Sequence, residues 1–390
     1  MTRPTVATID LGVIQSNFAA IRALLTREAA ALAGAPPPPG IIAVVKANAY
    51  GHGAVEVGRA LEAAGASMLA CADIEEGVVL RRSGLTLPIL VFGALSVSDV
   101  DGVIDYALTP TVSTPAAARA LERTAAARGV TLRCHLKIDT GMNRLGFRHD
   151  NLRRTMPEVL ASPHLTFDAV YTHFATADEP ESPFLDEQRT RFERALAALG
   201  ALGLGRVERH AANSAALLRD ARTWYDRVRP GLLLYGVVPP PLAADLDLGP
   251  ALSLTSRIVA VKGVRPGEGT GYGLRWRADG PRTIAIVPAG YADGLDTRLA
   301  GRGSVLVGGR RLPIVGSVCM DMMMIDVTGL DVSPGDPVVL IGRQGAETIT
   351  AREMAAAIGA IPWEVLCRLG SRIERKYETT SNFELRTSNG

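Results

Sequence analysis

The sequence predicts an α/β + β chain: an N-terminal (β/α)8 barrel of TIM type followed by a mostly β C-terminal domain. Two patterns carry that prediction. Short β-rich runs first alternate with segments of helical character, and eight such runs fall within about 200 residues, as a closed parallel barrel requires. Beyond them, β-rich runs follow one another directly. A chain of 390 residues has room for both domains. The expected boundaries are 1–245 for the barrel and 246–390 for the β domain, with the first residues able to pair with the latter.

In order along the chain, residues 11–33 read as a helix, and GAPPPPG (34–40) stops it, because consecutive prolines cannot continue one. Strand-like runs follow at 41–46, 67–73, 88–92, 107–112, 132–139, 167–173, 207–211 and 226–230. AVEVGRALEAAG and TPAAARALERTAAARG are clear helical segments between them. The runs at 107–112 and 226–230 have the least β character, so a doubly wound open sheet is the alternative. The second domain reads LTSRIVAVKGV, RTIAIVPAGYA, SVLVGGRRLPIV, MMMIDVT and PVVLIG, then one helical piece, TAREMAAAIG, and a charged tail.

Composition narrows the function classes. Hydrophobic residues make up 47% and charged residues 21%, ordinary for a soluble protein. A formal net charge of +2 gives no reason to expect nucleic acid or an acidic membrane as partner. No run approaches ~18 apolar residues, and MTRPTVATIDLG lacks an apolar signal core. Cys71, Cys134, Cys319 and Cys367 form no C-x-x-C pair and no disulfide framework, and no metal is expected. A reducing cytoplasm fits these features.

Chemistry in such a barrel sits at the C-terminal ends of the strands. Lys46 ends the first strand, and the fifth runs into Asp139-Thr140-Gly141-Met142-Asn143-Arg144. His173 ends the sixth strand, Asn213 and Ser214 follow the seventh and open a helix, and Arg229 and Gly231 end the eighth. Taken singly, Lys46 is an ordinary edge lysine, His173 a structural histidine and Ser214 an N-cap. Their convergence on one rim is what makes a site. Loops after strands seven and eight commonly hold phosphate; Asn213 and Ser214 at a helix N-terminus suit an anion, Gly231 admits close backbone approach, and Tyr50 adds a phenol. A lysine beside a phosphate site suggests pyridoxal 5'-phosphate bound as an imine, with burial freeing the amine. The glycine-rich run at 267–273 has no βαβ unit around it, which rules out a dinucleotide fold.

Several stretches together resemble the alanine racemase family: AVVKANAYGHG (43–53), HLKIDTGMNRLGF (135–147), YTHFATAD (171–178), ANSAA (212–216), VRPGLLLYG (228–236), GTGYG (269–273), PAGYADG (288–294) and GSVCMD (316–321). The resemblance implies a homodimer with shared active sites and pyridoxal phosphate held by Lys46. It implies two acid/base groups, Lys46 and the partner's Tyr272. Arg144 would orient Tyr272 and hold the substrate carboxylate, and Met320 would touch substrate across the interface. His173 would lie by the cofactor ring and link to Arg229, and Tyr50, Ser214, Gly231 and Leu232 would bind phosphate beside Asn213. Lys137 matches a lysine often carbamylated in the family. Trp363 stands where the family often has a phosphate-binding tyrosine, and Asn48 where it usually has aspartate.

The matched residues make chemical sense for racemisation. Lysine and tyrosine both have ordinary pKa values near 10, so each needs activating neighbours. Arg229 is matched to the position facing the cofactor's ring nitrogen. An arginine only donates, so that nitrogen should stay unprotonated and transamination should be disfavoured. The expectation is L-alanine/D-alanine interconversion supplying peptidoglycan. A broader-specificity amino-acid racemase, a non-catalytic cofactor carrier and a Schiff-base aldolase are its rivals.

Overall fold

The computed structural model describes residues 3–32, 34, 36–93 and 100–379. Position 33 of the expected first helix, position 35 of the proline loop and the tail from 380 onward lie outside these residues. The chain divides into two compact units: Ile14–Ala49 with Ala54–Gly249, and Met1–Val13 with Tyr50–Gly53 and Pro250–Gly390.

In the first unit, eight strands close a ring: Gly40–Val44, Met68–Cys71, Ile89–Val91, Thr109–Val112, Leu132–Asp139, Leu165–Tyr171, Glu208–Asn213 and Arg227–Arg229. Each neighbouring pair is parallel. The eighth strand pairs with the first, Arg227 opposite Gly40 and Val228 opposite Ile41. That pairing excludes the open-sheet alternative. The strands read as near-continuous apolar runs because both faces are covered; Met68–Cys71 and Ile89–Val91 are buried throughout. The two runs of least β character are strands for the same reason, with Val112 and Val228 fully buried.

One crossover helix shows clear local start and stop signals. Pro115–Arg128 starts at Thr114, whose hydroxyl accepts from the Ala117 N–H at 3.1 Å, and stops at Gly129 in the left-handed region. The first helix spans Leu11–Ala31. Among the described residues, no helix is long and apolar enough to cross a membrane.

The second unit is built on one long sheet. Its order is Ala260–Val264, Arg282–Val287, Met323–Asp326, Arg310–Val315, Ser304–Val307, Pro337–Gln344, Leu252–Arg257, Val6–Asp10 and Glu374–Glu378. Neighbours are antiparallel except the last pair, where Val6–Asp10 runs parallel to Glu374–Glu378. Glu347–Ile349 pairs with Pro337–Gln344 off this path, and Gly269–Thr270 and Trp276–Arg277 form a separate two-stranded ribbon. Two short helices, Ala351–Ile358 and Pro362–Cys367, come before Glu374–Glu378 in the chain.

Candidate active site

The first barrel strand delivers Lys46 to the rim. Val44 N–H donates to Pro230 C=O at 3.1 Å and Val45 N–H to Ala70 C=O at 2.8 Å, so Lys46 emerges between the ends of the second and eighth strands. The backbone then turns left-handed. Ala47, Asn48, Ala49 and Tyr50 have φ of 52°, 52°, 54° and 51°. Left-handed helix costs an L-residue about 1–2 kcal/mol, less for asparagine, so Ala47, Ala49 and Tyr50 together store on the order of 3–6 kcal/mol. Strain of that size persists only where the surroundings hold it. The Asn48 side chain accepts from Ala54 N–H at 2.9 Å, the Glu76 carboxylate from Ala47 N–H at 2.6 Å, and Ala49 N–H donates to Val45 C=O at 2.8 Å. Asparagine thus keeps the acceptor an aspartate would offer while removing its charge.

The barrel interior holds a polar chain centred on Arg229. Its guanidinium donates to Thr172 C=O (2.7 Å), Ala211 C=O (2.9 Å) and His210 Nδ1 (2.8 Å), with His173 Nδ1 at 3.3 Å. Arginine has no acceptor, so His210 Nδ1 must carry the lone pair. Its proton is then on Nε2, which donates to His135 Nδ1 at 3.0 Å. Strands eight, seven and five are therefore tied through the barrel centre, where non-adjacent strands can meet. Tyr171 stacks on His210 with ring centroids 4.7 Å apart, and its hydroxyl bonds that of Thr111 at 2.9 Å. Burial, then Arg229, holds His210 well below its ordinary value, and burial pushes His135 down to about 3. Both rings are neutral. Burial likewise lowers Arg229 to about 10, which leaves it cationic at neutral pH.

Lys137, Arg144 and His173 share one electrostatic field. Lys137 is 5% exposed. Burial first, then Arg144 and Arg229, push its amine from the ordinary 10.5 down to about 8; Lys46 adds to this and Asp139 opposes it. Desolvation, then Arg229, Lys137, Arg144 and Lys46, hold His173 well below its ordinary value. Four cations thus act on one imidazole, and an enclosure of that sign suits anionic ligands. The Arg144 loop is set by Asp139, whose carboxylate accepts from Gly141 N–H (2.9 Å) and Asn143 N–H (3.1 Å). Gly146 brings the loop back against its own strand: a Cβ there would meet Asp139 N at 2.7 Å.

After strand seven, Asn213 rather than Ser214 caps the six-residue helix Ser214–Arg219, accepting from Ala216 N–H at 2.9 Å. The Ser214 hydroxyl instead accepts from Gly231 N–H at 3.0 Å and Leu233 N–H at 3.4 Å, which joins the loops after strands seven and eight. Leu232 opens the short helix beside it.

Tyr50, Tyr272, Met320 and Trp363 belong to the other unit. Tyr272 is 78% exposed and Met320 51% exposed. The Tyr272 carbonyl is anchored by the Ser317 hydroxyl at 2.6 Å, and Met320 C=O accepts from Ala292 N–H at 3.0 Å, so both exposed side chains stand on fixed backbone. Trp363 is half-buried in the helix Pro362–Cys367.

The geometry also brings in residues that sequence reasoning missed. His135, His210 and Tyr171 lie in strands that read as plain β segments. Gln188, fully buried, donates to Thr140 Oγ1 (3.0 Å) and His173 C=O (3.1 Å) and accepts from Ala175 N–H (2.8 Å). It ties the Arg144 loop to the His173 loop from a helix with no motif of its own.

Comparison with known proteins is decisive. Residues 9–239 match the alanine racemase N-terminal domain, and residues 251–377 match its C-terminal domain. The chain belongs to the alanine racemase family. It is by class an isomerase. An alanine racemase from Carboxydothermus hydrogenoformans is 43% identical over 381 residues, covering 96% of this chain and 100% of that one. The solved alanine racemase of Streptomyces lavendulae superposes with a TM-score of 0.91 at 34% identity, covering 97% of this chain and 98% of that one. That of Bartonella henselae, described with covalently bound pyridoxal phosphate, gives 0.84 at 27% identity over 96% and 99%. Family membership accounts for the barrel followed by a β domain.

Proposed function

We propose that this chain interconverts L- and D-alanine with pyridoxal 5'-phosphate held at Lys46, and that D-alanine so made supplies peptidoglycan. The donor set fits the cofactor. An amine stands at the end of the first strand, the Ser214 hydroxyl and backbone N–H groups follow strands seven and eight, and Arg229 lies in the strand between them and Lys46. When bound, the cofactor supplies a conjugated electron acceptor for the charge left at alanine Cα.

The remaining chemistry falls to the chain's own residues. The Lys46 amine takes or returns the α-proton on one face. Tyr272 of a second copy does so on the other, which needs less motion than one group serving both faces. Arg144 holds the substrate carboxylate, with Met320 of the second copy beside it. The phosphate is assigned to the loops that the Ser214–Gly231 bond joins, where the Ser214 hydroxyl keeps its own proton to donate and Gly231, Leu232 and Tyr50 complete the site. Exposure of Tyr272 and Met320 in the single chain supports their being covered in a homodimer.

The observation that carries the reading is Arg229. It is 3% exposed, and its hydrogen-bonding neighbours are all acceptors, so it remains a cation that can only donate. Such a group beside a ring nitrogen disfavours ring protonation and limits charge delocalisation. Prompt return of the proton is then favoured over transamination. Chiral analysis of a panel of L-amino acids, incubated with the cofactor-loaded protein, tests this. Racemisation confined to alanine supports the proposal, equal rates on larger side chains favour the broader-specificity reading, and none on any substrate overturns both.

A further inference from the structure

Glu76 is the third residue of the helix Ile74–Arg82, which starts at the N-cap Asp73. The Asp73 side chain accepts from Glu76 N–H at 2.9 Å. Asp73 and Glu76 have the spacing of a capping box, in which the glutamate returns its carboxylate to the cap residue's own N–H. Here the carboxylate goes elsewhere. One oxygen accepts from Ala72 N–H at 2.8 Å, just past the strand Met68–Cys71. The other leaves the helix altogether and accepts from Ala47 N–H at 2.6 Å.

That second bond matters because of where the N–H lies. It belongs to the peptide plane joining Lys46 to Ala47, so holding it fixes ψ of Lys46 and φ of Ala47. Ala47 is the first residue of the left-handed turn. Asn48 holds the far side of that turn through Ala54 N–H. Glu76 thus joins the ends of two adjacent barrel strands with one carboxylate, and its bond to Ala47 is charge-assisted. The N-terminal end of its own helix stabilises that charge.

The geometry points to Glu76 as a positioning residue: its carboxylate holds the strained turn that aims the Lys46 amine. The catalytic consequence rests on the proposed role of Lys46, while the clamp itself does not.

Glu76→Ala removes the clamp. Asp73→Ala loosens the start of the same helix without touching Ala47, and serves as the control. In cofactor-free protein, hydrogen exchange of the peptide spanning 46–50 should be at least ~10-fold faster in Glu76→Ala and near wild type in Asp73→Ala. In loaded enzyme, Glu76→Ala should lower kcat for L-alanine by about 10- to 100-fold with KM nearly unchanged, because misplacing a reacting group acts on the chemical step. Glu76→Gln, which keeps the shape and one acceptor, should fall between; it carries both measurements if Glu76→Ala does not fold. Unchanged exchange in the Glu76 variants overturns the clamp whatever the activity. Faster exchange with unchanged kcat overturns the positioning role, as does an equal kcat loss in Asp73→Ala. A wild-type chain that racemises nothing overturns the proposed function instead, and exchange still decides the clamp.

Discussion

Replacing Lys137 by methionine should stabilise the protein at neutral pH, and the gain should fade in alkaline buffer. Lys137 is buried in a cluster with Arg144, Arg229 and Lys46, and its amine is held at about 8 against an ordinary 10.5. The folded value is the lower, so the unfolded chain binds more protons between the two. The group therefore opposes folding below about pH 8, and stability recovers as pH rises from about 8 to 10.5. At pH 7 the penalty is about 3 kcal/mol. Methionine keeps an unbranched stem and discards the charge. It also loses the ammonium 5.4 Å over the Tyr171 ring, a contact worth about 1 kcal/mol. A net gain of about 2 kcal/mol remains, readable as a rise of about 2 °C in Tm for a chain of this length. The assay is thermal unfolding of cofactor-free wild type and Lys137→Met in carbon-dioxide-depleted buffer at neutral pH and near pH 10. Bicarbonate adds a further arm. A neutral amine can form a carbamate, whose negative charge would relieve the cationic cluster and close the gap from the wild-type side only. A Lys137→Met protein less stable at pH 7, or a gain that does not shrink near pH 10, would refute the reasoning.

Three further outcomes are expected. Lys46→Ala should abolish covalent cofactor and racemisation in both directions, and borohydride reduction of the loaded wild type should leave cofactor mass on the peptide containing Lys46; mass on another lysine would contradict the assignment. Arg229→Glu replaces a donor bonded to Thr172 C=O, Ala211 C=O and His210 Nδ1 with an acceptor, so denaturant unfolding should show a loss of at least ~3 kcal/mol, and product analysis should show pyruvate rising relative to D-alanine. Buried neutral His135 and His210 have folded values below their unfolded ones, so stability present above about pH 6.5 should be lost on acidification, by up to ~2 kcal/mol per histidine at pH 5. Denaturation midpoints equal at pH 7 and pH 5 would contradict neutral burial of these rings.

The barrel was legible because its signal is local. Alternating runs of apolar strand and helical periodicity mark each unit, and the tip of each strand marks where polar residues gather. Lys46, Arg144, His173, Ser214 and Arg229 stood out as polar residues at the ends of apolar runs. The left-handed turn after Lys46 was not legible. Ala-Asn-Ala-Tyr has no glycine to announce positive φ, and the groups holding it, Glu76 above all, lie a crossover away in sequence. Glu76 looks like an ordinary helix-start residue until its carboxylate is followed to Ala47. The Arg229–His210–His135 chain was hidden for a related reason: its partners come from three separate strands, two of them non-adjacent, and no spacing within one segment encodes contact through a barrel centre. Taken singly, Ser214 reads as an ordinary cap; its neighbour Asn213 takes that task, which leaves the serine hydroxyl to accept from Gly231 N–H. Tyr272 and Met320 are exposed side chains in a β domain, and only the family resemblance singled them out.

The most direct test of the central claim, that Lys46 of one chain and Tyr272 of another serve a single site, is subunit complementation. Lys46→Ala and Tyr272→Phe chains, each inactive alone, are mixed under conditions that let subunits exchange, and the mixed dimer is isolated with distinct tags. One of its sites then carries both substitutions and the other carries neither, so racemisation of L-alanine should return to about half the wild-type rate per dimer. A confirmed mixed dimer that stays inactive would contradict the account, because Tyr272 would then serve its own chain or take no part in proton transfer.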